Sequence, residues 1–136
     1  PGYYQRTWLA ANANEITPGA SIPTAGSASY TGVMVGHTQG AVGPGPDINW
    51  SVGMTADFNN KMITGAIDNG AHGVISANWM QGVNLINGTI GGTPYGSGIF
   101  KGMFFGTGAT AAKEIGGVWN LNNGTATATG VLGAKQ

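Results

Sequence analysis

NWSVGMTADF, residues 49–58, alternates without a slip: Trp50, Val52, Met54, Ala56 and Phe58 interleave with Asn49, Ser51, Gly53, Thr55 and Asp57. A period of two sends successive side chains to opposite faces of a strand, so one face of this segment is buried. Asn59-Asn60-Lys61 reads as a tight turn and MITGAID at 62–68 as the returning strand, which makes the pair a hairpin. Beyond the break at Asn69-Gly70 come VISANWM at 74–80, VNLINGTI at 83–90, SGIFKGMFFG at 97–106, KEIGGVWNL at 113–121 and ATATGVLGA at 126–134. With SASYTGVMVG at 27–36 in front, the strands number eight.

Eight antiparallel strands of this length are the number at which an up-and-down sheet closes with its interior filled by side chains. The expected fold is all-β: a single eight-stranded antiparallel up-and-down β-barrel with a short N-terminal arm. The segment 102–121, GMFFGTGATAAKEIGGVWNL, fits that reading because it mixes the bulkiest side chains with glycine. Phe104 and Trp119 are expected to fill the lumen while Gly106 and Gly117 let the sheet bend. A two-sheet sandwich shares the same alternation and stays open at this point.

Residues 1–26 read as an N-terminal arm or connector and 27–136 as the barrel domain. TWLAANANEI at 7–16 fits a short helix or an irregular arm, and Pro18 and Pro23 mark a connector. The arm is expected to lay Tyr3, Tyr4 or Trp8 over the barrel surface. HTQGAVGPGPDI at 37–48 has no periodicity and two Gly-Pro steps, so it is expected to be the longest loop and a variable surface.

Composition narrows the function classes. Charged residues make up 7% of the 136 positions, and five Lys and Arg balance five Asp and Glu. Such a surface has no basic field for a nucleic-acid backbone or an anionic membrane. There is no cysteine, hence no disulfide, thiolate metal site or cysteine nucleophile. No apolar run has the length of a membrane-spanning helix. The chain starts Pro-Gly-Tyr-Tyr, which is expected of a mature or excised piece of a longer protein.

No residue pattern announces a reaction. His37 and His72 fall in glycine-flanked segments without metal-ligand spacing, and no Gly-x-Ser-x-Gly elbow surrounds any serine. Asp57 and Asp68 lie at the ends of adjacent strands, where a carboxylate pair for glycoside hydrolysis would need them close. Turn hydrogen bonding is the more ordinary use of strand-end aspartates. The strand tryptophans Trp50, Trp79 and Trp119 are expected in the core. Neither a catalytic residue nor a metal or cofactor site is assigned.

The C-terminal third carries a family pattern: Gly98-Ile99-Phe100, Phe104-Phe105-Gly106, the acidic-plus-glycine signature Glu114-Ile115-Gly116-Gly117, and the terminal Gly133-Ala134-Lys135. Upstream, ASYTGVMVG and ADFNNKMITGAI supply a Tyr-Thr-Gly strand and a Phe-turn-Thr-Gly hairpin. In order and spacing these resemble the C-terminal β-barrel domain of the transferrin-binding protein B family, which includes factor H-binding protein and secreted haem-binding proteins. The resemblance implies structural roles for Phe104, Gly106, Glu114, Gly116, Gly117 and Gly133, with Glu114 binding backbone N–H groups. It also implies a bacterial cell-surface or secreted setting, on the outer membrane or outside the cell. The chain departs from the named receptors in having one barrel, short loops and no anchoring cysteine.

The function expected is a non-enzymatic binding module that engages a macromolecule through the segments 37–48 and 91–97. His37, Gln39 and Tyr95, with Tyr3, Tyr4 and Trp8 on the arm, are the partner-binding candidates. The partner is a protein, or copies of the chain itself. Low charge and abundant Thr and Asn suit the alternative, a self-associating homo-oligomeric domain of an envelope layer, adhesin or filament. A third reading is a small-ligand carrier, haem included, which large lumen-facing side chains would oppose.

Overall fold

Each strand of the computed structural model, which describes residues 15–136, pairs antiparallel with its neighbours in chain order, and the last closes onto the first. The strands are β1 (Ser27–Gly40), β2 (Gly43–Asp57), β3 (Met62–Ile67), β4 (Val74–Asn78), β5 (Ile86–Thr93), β6 (Gly96–Phe105), β7 (Glu114–Asn122) and β8 (Thr127–Lys135). Closure runs from Thr31 opposite Lys135 to Gln39 opposite Thr127, so the expected barrel is the observed one and the sandwich is set aside. Tyr3, Tyr4 and Trp8 lie outside the described residues.

Glycine and bulk meet inside the barrel as complementary shapes. Phe100, Trp119, Gly130 and Gly36 form one cross-strand row, and Gly102, Gly117, Leu132 and Met34 form the next. A Cβ on Gly117 would lie 2.6 Å from Phe100 Cε1, and one on Gly36 would lie 2.7 Å from Trp119 Cζ2. The rings thus occupy volume that any side chain on the facing glycines would take. Trp119 anchors its indole by donating from Nε1 to the Val131 carbonyl at 2.9 Å. Phe104 fills the lumen as expected, whereas Gly106 turns the chain with φ of 109°.

The two ends of the barrel differ. The base holds the β2–β3, β4–β5 and β6–β7 connections, and residues 15–22 cross it. Ile16 bridges to Phe105, and the Thr17 N–H donates to the Phe104 carbonyl at 3.0 Å. Asn84 stands in for a missing strand there: Nδ2 donates to the Thr17 and Phe104 carbonyls at 2.7 and 2.8 Å, and Oδ1 accepts the Phe104 N–H at 2.7 Å. Thr17 is fully buried, with Oγ1 donating to the Gly106 carbonyl and accepting the Ala112 N–H. The Ala112 carbonyl accepts from the Tyr30 hydroxyl at 2.5 Å and from Gln136 Nε2 at 3.1 Å. Burial raises the pKa of that phenol, and the Gln136 bond partly offsets the rise.

The mouth carries the β1–β2, β3–β4, β5–β6 and β7–β8 turns, and here one expectation fails. Residues 37–48 are no long loop but the outer part of the β1–β2 hairpin, with Gly40 opposite Gly43 and only Ala41 and Val42 between them. The Gly-Pro steps misled because proline normally breaks a ladder. In this stretch β2 has no second neighbour, since it meets β3 only from Val52 onward, and proline is tolerated on such an edge. The register shifts between His37 and Gln39, and Thr38 Oγ1 donates to the Pro46 carbonyl at 2.8 Å to bridge the irregularity.

Candidate functional site

Three aromatic side chains meet across the mouth. Trp50 is a partly buried member of the inward row on β2, His72 comes from the β3–β4 connection, and Tyr95 from the β5–β6 turn. The His72 and Trp50 rings stack with centroids 4.7 Å apart and planes inclined by 6°. Trp50 and Tyr95 stack at 6.2 Å and 24°. The indole therefore spans from β2 to a turn on the far side of the barrel.

Local chemistry places each ring. Asp68 and Asn69 adopt left-handed backbone, with φ of 47° and 56°, in a region that Asp and Asn tolerate better than most side chains. The bend is closed by the Ala71 N–H on the Asp68 carbonyl at 3.0 Å and the His72 N–H on the Ile67 carbonyl at 3.1 Å. Asp68 then ties three elements together. Its Oδ1 accepts the Ser51 N–H at 2.7 Å and the Ser51 hydroxyl at 2.8 Å, and its Oδ2 pairs with His72 Nδ1 at 2.5 Å. Ser51 is where β2 leaves the β3 ladder, so the carboxylate satisfies the first N–H that β3 does not reach. On the opposite side, Thr93 Oγ1 accepts the Tyr95 N–H at 3.1 Å and donates to the Gly96 carbonyl at 2.6 Å, setting the turn that carries Tyr95.

These bonds hold the Asp68 carboxyl below the usual carboxylate range: the Ser51 hydroxyl contributes most, desolvation opposes it, and the Ser51 N–H and His72 add to the lowering. Ser51, His72 and Asp68 are the residue types of a nucleophilic triad, but their order is wrong for one. A triad needs the imidazole between hydroxyl and carboxylate, whereas here the carboxylate sits between the other two and takes the serine proton contact itself. The arrangement orients an aromatic surface.

The sequence-predicted residues fall as follows. His37, Gln39 and Tyr95 all lie at the mouth end: His37 opposite Asp47 on the outer wall, Gln39 opposite Pro44 near the hairpin tip, Tyr95 in the stack. Asp57 and Asp68 are not brought together. Asp68 binds Ser51, six residues along β2 from Asp57, which at a strand rise of about 3.3 Å per residue is roughly 20 Å. Asp57 caps the β2–β3 turn instead, accepting from Asn60 Nδ2 and from the Asn59 and Asn60 N–H groups, which lower its pKa, the Asn60 side chain most. Glu114 departs from its expected role: it is exposed at the start of β7, opposite Lys135, and its carboxylate makes no hydrogen bond among the described residues. Gly116 faces Gly133 across β7 and β8. Sequence reading missed Trp50, Ser51, Asp68 and His72 as a unit. The one signal available was Asp68 and His72 at a separation of four, flanking Asn69-Gly70.

Residues 22–136 match the family described as the C-lobe and N-lobe beta barrels of Tf-binding protein B. The fold is similar to transferrin-binding protein B of Haemophilus parasuis Hp5, seen as a tryptophan-to-alanine mutant: 18% identity, TM-score 0.70, 89% of this chain and 28% of that one. It is similar to the isotype 1 protein from serogroup B Neisseria meningitidis at 19% identity and TM-score 0.66, covering 90% of this chain and 27% of that one. A surface lipoprotein matches at 15% identity and TM-score 0.58, over 83% of this chain and 62% of that one. No curated protein matches in sequence. The chain spans under a third of the transferrin-binding proteins it resembles. On the match of residues 22–136, this chain belongs to the family of transferrin-binding protein B β-barrels.

Proposed function

We propose that this domain is a non-enzymatic binding module of a bacterial surface or secreted protein, and that it docks a protein partner on the mouth of the barrel. The observation that carries the reading is the Trp50, His72 and Tyr95 stack, built by β2 and two turns at one end and partly open to solvent. Flat aromatic groups held by a hydrogen-bonded frame contribute contact area with little entropy left to lose, which is why they dominate protein interfaces. Family membership supports a protein partner. Transferrin, which the similar structures carry in their names, is the first to be tested.

The test is the affinity of the full chain for purified transferrin, compared with Tyr95→Ala and His72→Ala. The reading expects saturable binding that each change weakens by about tenfold or more, in the manner of interface anchors. Absence of binding would remove transferrin as the partner. Binding that both variants retain in full would remove the mouth as the docking surface.

A further inference from the structure

The outer wall of the barrel carries a groove that reaches up to His37, outside the lumen and apart from the aromatic stack. The groove, of about 380 Å³, runs along β7 between the side chains of β6 and those of β8 and β1. Cross-strand register explains its make-up. Lys101, Val118 and Val131 stand in one outward row, and Ile99, Asn120, Thr129 and His37 in the next. Val118 and Ile99 are 57% and 45% exposed, high for large apolar side chains on a sheet. The volume falls within the range of small-molecule sites.

Charge selects the ligand. Lys101 makes no hydrogen bond or ion pair among the described residues, and no carboxylate lines the groove. Its strand neighbours are Asn87 and Val118. The nearest acidic positions by register are Glu114, four residues along the outward face of β7 from Val118 and opposite Lys135, and Asp47, opposite His37 on β2. A lone ammonium above valine and isoleucine side chains offers one strong polar contact to a ligand that is otherwise apolar.

We propose that this groove binds a small amphipathic organic anion, a fatty or aryl carboxylate, with its apolar body on Ile99, Val118 and Val131 and its charge on Lys101. The site does not depend on the docking function of the mouth. It also differs from a lumen site, since Phe100, Phe104 and Trp119 fill the lumen.

The test is an amide-shift titration of the full chain with monomeric dodecanoate, with dodecyltrimethylammonium as the oppositely charged control. The proposal expects saturable shifts confined to the amides around Ile99, Lys101, Val118 and Val131, and no such pattern with the cationic amphiphile. Lys101→Glu is expected to weaken dodecanoate by about tenfold or more, an effect of some 1.4 kcal/mol. Val118→Asp should remove binding. Both side chains point outward, and an unchanged thermal midpoint confirms that each variant folds. Equal response to both amphiphiles, no response, or shifts centred on the Trp50, His72 and Tyr95 stack or on the base would overturn the proposal. So would binding to anionic phospholipid vesicles without binding to monomeric dodecanoate.

Discussion

His72 lies flat against Trp50, ring centroids 4.7 Å apart, while its Nδ1 is held by Asp68. One imidazole is thus fixed by a carboxylate at its edge and an indole at its face. Removing it by His72→Ala uncovers the indole and forfeits an aromatic pair worth about 0.5–1.5 kcal/mol. The expected outcome is a loss of that order in denaturant unfolding, with tryptophan emission shifted to longer wavelength. Unchanged emission would mean the pair does not shield Trp50.

Acid should loosen the mouth and the β2–β3 turn. Asp68 and Asp57 both have folded pKa values below their unfolded ones, through Ser51 and Asn60 respectively. The stability they contribute is fully present above the unfolded value of about 3.9 and is lost as pH falls through the lower folded values. The thermal midpoint of the chain is expected to decline below about pH 4. In Asp68→Asn the decline should be shallower, because of these two contributions only that of Asp57 remains. Identical slopes in the two proteins would contradict the assignment.

Two family glycines should behave in opposite ways. A Cβ on Gly117 would meet the Lys101 carbonyl oxygen at 2.2 Å and Phe100 Cε1 at 2.6 Å, whereas nothing lies within 4 Å of one on Gly133. Gly117→Ala is expected to cost about 1–3 kcal/mol or more by overpacking. Gly133→Ala should stay within about 0.5 kcal/mol, as surface changes do. Chemical denaturation of both variants checks the contrast.

Asn84 replaces a strand's worth of backbone bonding at the base. Asn84→Ala leaves the Phe104 N–H and the Thr17 carbonyl without this partner, at about 1–3 kcal/mol for a buried group left unsatisfied. Faster amide exchange at Thr17 and Phe104, with exchange in β1 and β2 unchanged, is the expected signature.

The barrel was legible because its signal is local. Residues 49–58 alternate perfectly, and the glycine-aromatic mixture at 102–121 matches a lumen where Phe100 needs Gly102 and Gly117 bare. The outer half of the β1–β2 hairpin was illegible because Pro44 and Pro46 carry the marks of a loop, and only the missing neighbour on one side of β2 makes room for them. The mouth stack was hidden for another reason. Trp50 and Tyr95 are 45 positions apart and meet only because the sheet closes, so their contact belongs to topology and leaves no local pattern. Tyr95 falls outside the strands that the sequence marks, while Trp50 sits within one and reads as ordinary core.

Hydrogen exchange of the full chain, free and saturated with transferrin, tests the docking surface most directly. Slowed exchange at 68–73 and 93–96, with 79–85 at the base unchanged, is the result the account predicts. Protection confined to 79–85, or to the outer wall of β6 to β8, would contradict it.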